Sequence, residues 1–212
     1  MNAPEAPVIV GNVYDKYGTR NPVARWLMRS FLDAVSELYL KRRPQRVLEV
    51  GCGEGRLAQH LLGLPHAPEV FHACDLSLSS VAQGLDTRLT FSEASIYELP
   101  FEGASFDLVV CCEVLEHLEE PGRGLAEIRR VSSHAVIVST PREPLWRLLN
   151  LARGKYMGAL GNTPGHVQHF GQAGLVRLLQ EELDILEVRA PIPWTVVLGL
   201  VRGRATEPPQ AA

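Results

Sequence analysis

The sequence predicts an α/β protein built on one doubly wound, mostly parallel sheet. Three observations carry that reading. Short β-branched or aliphatic runs recur along the chain, amphipathic helical patterns sit between most of them, and the first run opens directly into a glycine-rich turn. The 212 residues suit a single domain, and a composition of 46% hydrophobic and 21% charged residues excludes a disordered or fibrous chain.

In chain order, residues 1–12 and 203–212 carry prolines among small and polar residues and read as flexible tails, which leaves 13–202 as the domain. From Asn21 to Lys41 the apolar residues Val23, Trp26, Leu27, Phe31, Leu32, Val35, Leu38 and Tyr39 are spaced by three and four, as in an amphipathic helix. Pro22 suits its first turn, where its missing N–H would have had no partner, and Pro44 marks its end. The period then changes. Strands are predicted over 46–50, 70–74, 89–93, 106–112, 135–139, 185–189 and 195–200, with helices over 57–62, 78–85, 124–131 and 175–183. Sheets of this kind place their ligands at the carboxyl ends of the strands, near the point where strand order reverses.

Charge and cysteines narrow the function. A net charge of −3 argues against a protein held to nucleic acid by bulk charge. Cys52, Cys74, Cys111 and Cys112 have no CxxC spacing, so neither a zinc site nor a disulfide framework is indicated. The first ten residues lack a basic region followed by an apolar run, and no stretch reaches the roughly 18 apolar residues of a membrane span. A reduced, cytoplasmic location is the default expectation.

The most informative stretch is Val47-Leu48-Glu49-Val50-Gly51-Cys52-Gly53-Glu54-Gly55, a strand running into a turn and then a helix. Glycines there let the backbone approach a ligand where a Cβ would clash. In the dinucleotide fingerprint the third glycine falls one place later, where this chain has Arg56, and Glu49 would repel a pyrophosphate while favouring an ammonium group. Asp75 ends the second strand 22 residues after Gly53, the spacing at which a carboxylate takes ribose hydroxyls. Two structural readings stand beside these: an ordinary strand-to-helix turn, and Asp75 as the N-cap of a helix beginning near Ser77.

The string VLEVGCGEGRLAQHL, then ACDLS, then ELPFEGASFDLVVCCEVLEHLEEP, resembles class I S-adenosylmethionine-dependent methyltransferases of the type 11 group, related to the quinone-biosynthesis methyltransferases. The resemblance covers residues 13–190. It implies a Rossmann-like sheet of seven strands with the last antiparallel and S-adenosylmethionine as cofactor, to which this chain adds the N-terminal helix and an inserted helical lid segment. It places Glu49, Gly51, Gly53 and Gly55 around the methionine part, Asp75 at the ribose, and Ser95 with the Ile96 N–H at the adenine, with Cys52, Leu76 and Cys112 as further cofactor-binding candidates. At Ser95 the commoner family residue is aspartate, and a hydroxyl there bonds more weakly than a carboxylate. The segment 12–17, NVYDKY, resembles the part of the family that closes over the cofactor. Tyr14 or Tyr17 then meets the methionine carboxylate, or either packs as an aromatic at a helix start.

Transfer of a methyl group from a sulfonium needs alignment and, for some acceptors, removal of a proton, so no metal is required. His166, in the loop after the fifth strand, matches a family histidine and ranks first as a substrate-side acid/base or positioning residue. His169 ranks second. His117, at the end of the EVLEH string, is a base by its near-neutral pKa or a structural residue. Either loop histidine equally braces the loop. The inserted segment 141–165 opens with PREPLWRLLNLARGKYMGAL, leucines and Trp146 alternating with Arg142, Arg147, Arg153 and Lys155. Such a segment lies on a membrane surface, forms an apolar lid, or packs on the sheet edge.

The resulting expectation is a monomeric or homodimeric enzyme that methylates a small apolar, quinone-like or natural-product acceptor and no nucleic acid. A non-catalytic S-adenosylmethionine-binding regulatory module is the first competitor. An NAD-type oxidoreductase, opposed by Arg56 and Glu49, is the second.

Overall fold

In the computed structural model the described residues are 21–204. The chain opens with α1 (Pro22–Arg42), whose free N–H groups at the start are met by Asn21: its Oδ1 accepts from Val23 N at 2.9 Å and Ala24 N at 3.3 Å. Arg43 ends the helix in the left-handed region, its N–H returning to the Tyr39 carbonyl, and Pro44 blocks continuation. The inner face of α1 buries Met28, Phe31, Val35, Leu38 and Tyr39, while Val23 and Trp26 stay exposed.

Then follow β1 (Arg46–Val50), α2 (Arg56–Leu62), β2 (Val70–Asp75), β3 (Leu89–Glu93), β4 (Phe106–Cys112), α3 (Pro121–Val131), β5 (Ser132–Pro141), α4 (Leu145–Ala152), α5 (Gln172–Leu179), β6 (Leu183–Arg189) and β7 (Trp194–Val201). They make one seven-stranded sheet in the order β3-β2-β1-β4-β5-β7-β6. The pairs β1–β2, β2–β3, β1–β4 and β4–β5 are parallel, and β7 runs antiparallel to both β5 and β6. Strand β4 is buried along its whole length, as a central parallel strand covered on both faces must be. One apolar layer joins α1 and α2 to the sheet through Phe31, Leu38, Leu61 and Phe71; the other joins α3 and α5 to it through Leu125, Ile128, Leu175 and Leu179.

Two predicted helices are corrected. Residues 78–85 form only a 3-10 turn, Leu78–Ser80, because Ser77 Oγ accepts the Ser79 N–H and Ala82 N donates to the Glu54 carbonyl. These side-chain and cross-loop bonds compete with a continuing helical ladder. The helix predicted over 175–183 starts earlier, at Gln172, and stops at Leu179, because Leu183 already belongs to β6. Tyr14 and Tyr17 lie outside the described residues, as do the tails 1–12 and 205–212.

Candidate functional site

The chain leaves β1 in one direction along the sheet and β4 in the other, so the carboxyl ends of these neighbours flank a crevice. A cavity open to solvent lies there. Its floor is Glu49 and the turn Gly51 to Glu54, one wall is Cys112 and Glu113, and Met28, Phe31 and Trp194 close it from α1 and β7.

The turn is shaped by contacts that only glycine allows. Gly51 has φ 77°, and a Cβ there would stand 2.2 Å from Val114 Cγ2. Its N–H and that of Cys52 both donate to the Cys74 carbonyl, at 2.8 and 3.0 Å, which pins the turn to β2. Gly53 differs: at φ 51°, its Cβ position meets no atom within 4 Å, so this is the side open to a ligand. Gly55 caps α2, its N–H donating to the Cys52 carbonyl at 2.8 Å.

Glu49 is 3% exposed and its carboxyl lies on the cavity floor. Burial pushes its pKa up to about 8, against a hydrogen bond from the Ala58 N–H, with Asp75 adding repulsion. Glu49 Oε2 is buried with no hydrogen-bond partner. A buried carboxylate oxygen left unmatched in a cavity wall is a ready partner for a cationic ligand group.

Asp75 stands beside the turn rather than capping a helix. Its Oδ2 accepts from Gly53 N and its Oδ1 from Leu76 N, both at 2.7 Å, while Ser77 is the residue that caps the 3-10 turn. A carboxylate keeps further lone pairs after two such bonds. Ala94 N donates to the Asp75 carbonyl at 2.8 Å, which brings Ser95 and Ile96 alongside. Leu76 is exposed at this edge, Ile96 is buried, and Ser95 Oγ accepts from Tyr97 N at 3.2 Å.

All four cysteines are buried, free thiols. Desolvation pushes the Cys74 thiol up to about 12 and raises Cys52, Cys111 and Cys112 well above the usual thiol range. Cys52 and Cys112 therefore serve the cavity as apolar wall, not as nucleophiles.

A second group lies on the β4 and β5 side. Residues 116–118 and 165–168 are joined by His117 Nδ1 to the Gly165 carbonyl (2.9 Å), by Val167 N and Gln168 N to the Glu116 carbonyl (2.9 and 3.0 Å), and by Gln168 Nε2 to the Leu118 carbonyl (3.2 Å). That stitching sets the His117 and His166 rings edge-on at 4.9 Å. The Trp146 indole lies nearly parallel to the His166 ring, centroids 6.3 Å apart, and 5.8 Å from Trp194, which lines the cavity. His169 stands apart from this pair, exposed, with Nε2 bonded to Asn162 Oδ1 at 2.9 Å. The segment after β5 is tied down: buried Asn150 donates to Gly161 O and Thr163 Oγ1, and Trp146 Nε1 donates to Thr163 Oγ1.

Sequence reasoning placed the segment of Glu113 and Glu116 beside the methyl group without assigning either a role, and missed Met28, Phe31 and Trp194 as site residues. Glu113 carried a signal only in the fold, a φ of 62° in a non-glycine residue, with Oε2 accepting from Trp194 Nε1 at 2.7 Å and Oε1 from Ser139 Oγ at 3.2 Å. Phe31 reads as a core position of the first helix, Met28 falls outside that helix's apolar set and Trp194 just before the last predicted strand, and nothing local marks them as lining a cavity.

Comparison with known proteins agrees with this geometry. A family model described as a methyltransferase domain matches residues 48–137. Norajmaline N-methyltransferase of Rauvolfia serpentina is 28% identical over 100 residues, covering 43% of this chain and 34% of that protein. The mitochondrial ubiquinone biosynthesis O-methyltransferase of Schizosaccharomyces pombe is 27% identical over 140 residues, covering 59% and 50%. Among solved structures, magnesium protoporphyrin IX methyltransferase from Synechocystis, with bound SAH, superposes with a TM-score of 0.64 at 20% identity over 89% of this chain and 90% of that one. The chain spans between about a quarter and a half of the length of the first curated relatives it matches.

Proposed function

We propose that this chain, which belongs to the class I S-adenosylmethionine-dependent methyltransferase family, transfers a methyl group from S-adenosylmethionine to a small-molecule acceptor. The observation that carries the reading is Glu49 Oε2, a buried carboxylate oxygen without a partner on the floor of a cavity roofed by open space at Gly53. The α-ammonium of the methionine moiety has the charge to match it, and a dinucleotide pyrophosphate does not.

The residues present fit such a cofactor along its length. Glu49 takes the ammonium, Gly53 leaves room for the backbone to approach, and Asp75 offers its remaining lone pairs to the ribose hydroxyls. Leu76, Ser95 and Ile96, beside Asp75, border the adenine side. Bound there, S-adenosylmethionine supplies a methyl group already activated by its sulfonium. What remains for the protein is to exclude water and align an acceptor at roughly 3–3.5 Å. Phe31, Met28, Trp194 and Trp146 exclude water. His117 and His166, paired edge-on and neighbouring Trp146, are assigned to the acceptor side.

The outer face of the segment after β5 supports an apolar acceptor. Leu148, Met157, Leu160 and Val167 are exposed there, near Arg147, Arg153 and Lys155. No helix among the described residues is long and apolar enough to cross a membrane, so contact with lipid would be from the surface. The relatives named above methylate nitrogen and oxygen acceptors by their names, and both classes of nucleophile suit this site.

Calorimetric titration of the protein with S-adenosylhomocysteine tests the reading, with Asp75→Ala and a nicotinamide dinucleotide as controls. Saturable binding is expected, weakened at least tenfold by Asp75→Ala. A wild-type protein with its circular dichroism intact that binds no S-adenosylhomocysteine would remove the methyl-transfer reading.

A further inference from the structure

The acceptor side holds more than two histidines. One carboxylate oxygen of Glu116 and one ring nitrogen each of His117 and His166 lie within 4.8 Å of one another. We propose that these three residues bind a divalent transition-metal ion, which holds a hydroxyl-bearing acceptor beside the cofactor cavity.

The local architecture prepares the donors. The Gly165 carbonyl can only accept, so the 2.9 Å bond fixes His117 Nδ1 as the protonated nitrogen and leaves the ring lone pair on Nε2, the usual arrangement of a metal-ligating histidine. The Glu116 main chain meanwhile holds Val167 and Gln168, so the residue that supplies the carboxylate also anchors the loop that carries His166. The Trp146 indole lies nearly parallel to the His166 ring, their centroids 6.3 Å apart. Glu116 is 2% exposed and His166 9%, and a low dielectric strengthens attraction between the carboxylate and a cation.

Two imidazoles and one carboxylate are a borderline donor set. It favours Zn²⁺, Mn²⁺ or Fe²⁺ over Mg²⁺ and Ca²⁺, which prefer oxygen ligands alone, and it leaves coordination positions open. Around a tetrahedral ion with bonds near 2.0–2.1 Å the donors stand about 3.3 Å apart, so side-chain rotations of about 1 Å close the present arrangement. An acceptor hydroxyl in an open position has its pKa lowered: the O–H bond breaks, the electron pair stays on oxygen and the proton passes to solvent water. This use of the ion rests on the methyl-transfer reading; the ion site does not. It also reassigns His166 and His117, since a nitrogen that ligates a metal is not a general base. The methyl-transfer chemistry itself asks for no metal, and the cysteine spacing indicates none. The donors come instead from two segments that only the fold brings together.

The test uses the full chain stripped with EDTA and titrated calorimetrically with ZnCl₂ and MnCl₂ in the absence of cofactor, and with CoCl₂ by visible absorption, which reports nitrogen ligation. One saturable equivalent is expected. Glu116→Gln and His166→Ala should each weaken it about 10- to 100-fold, with S-adenosylhomocysteine affinity held within about twofold. Glu116→Gln preserves volume, so it remains informative if His166→Ala fails to fold. A folded protein that binds S-adenosylhomocysteine but no metal, or metal binding that both substitutions leave unchanged, overturns the proposal. Metal binding without S-adenosylhomocysteine binding would leave the ion site standing and overturn the cofactor reading instead.

Discussion

Glu49→Gln separates what the cavity floor does for binding from what it does to the fold. Burial holds the wild-type carboxyl neutral up to about pH 8, against an ordinary 4.5. A group whose folded pKa is raised stabilises the fold fully below its unfolded pKa, and that contribution is lost as pH rises through the folded value. At about 1.36 kcal/mol per pH unit the loss approaches 4 to 5 kcal/mol by pH 8, as an upper bound. Glutamine keeps the size and the acceptor for the Ala58 N–H but never ionises. The two proteins should therefore melt together at pH 5, with the variant higher by several degrees at pH 8. Ligand binding should move the opposite way. With a pKa of about 8, about 1% of wild-type carboxyls are ionised at pH 6 and about half at pH 8. Allowing for the ligand's own ammonium, which titrates near pH 8, affinity for S-adenosylhomocysteine should rise about 20- to 50-fold over that interval. The variant should bind at least about tenfold more weakly at pH 8, the worth of a hydrogen bond to a charged group, with a nearly flat pH profile. Parallel melting curves and calorimetry from pH 5 to 8 measure both. Superimposable melting profiles, or undiminished binding by the variant, would refute the argument.

Three further outcomes follow from the same geometry. Gly51→Ala should leave little folded protein in a denaturant melt, because the new Cβ would stand 2.2 Å from Val114 Cγ2; Gly53→Ala should cost only about 1–2 kcal/mol, for its left-handed backbone, while weakening S-adenosylhomocysteine binding by more than that. Ellman's reagent at pH 8 should count almost no thiols in the native protein and four after unfolding, since all four cysteines are buried with raised pKa values; one fast-reacting thiol would contradict this. Asn150→Ala removes the bonds to Gly161 and Thr163, and limited trypsinolysis at Arg153 and Lys155 should accelerate at least tenfold; an unchanged rate would mean that the segment is held by something other than Asn150.

The parts legible in the sequence are those that depend on neighbours along the chain. Strands β1 and β4, the Pro22 start of α1 and the glycine turn are each written within a few residues, because apolar runs, missing N–H groups and positive φ are local properties. Where reading failed, a distant group had intervened. The apolar spacing over 78–85 fits a helix, yet Ala82 is drawn to the Glu54 carbonyl and Gly84 takes a φ of 73°. Asp75 was legible as a conspicuous carboxylate but not as a brace for Gly53, since that bond exists only once β1 and β2 are paired.

The same distinction divides the site itself. Most of the cofactor half comes from the ends of β1 and β2, residues 49 to 76, and the sheet presents them together whatever follows in the chain. The proposed acceptor half joins residues 116–118 to 165–168, with Trp146 packed beside His166 and Trp194. Its composition depends on an insertion after β5 whose hydrogen bonds run within itself and to the loop after β4. On the proposed reading, changing that insertion would alter the acceptor without disturbing Glu49 or Asp75, since a shared fold does not specify the acceptor.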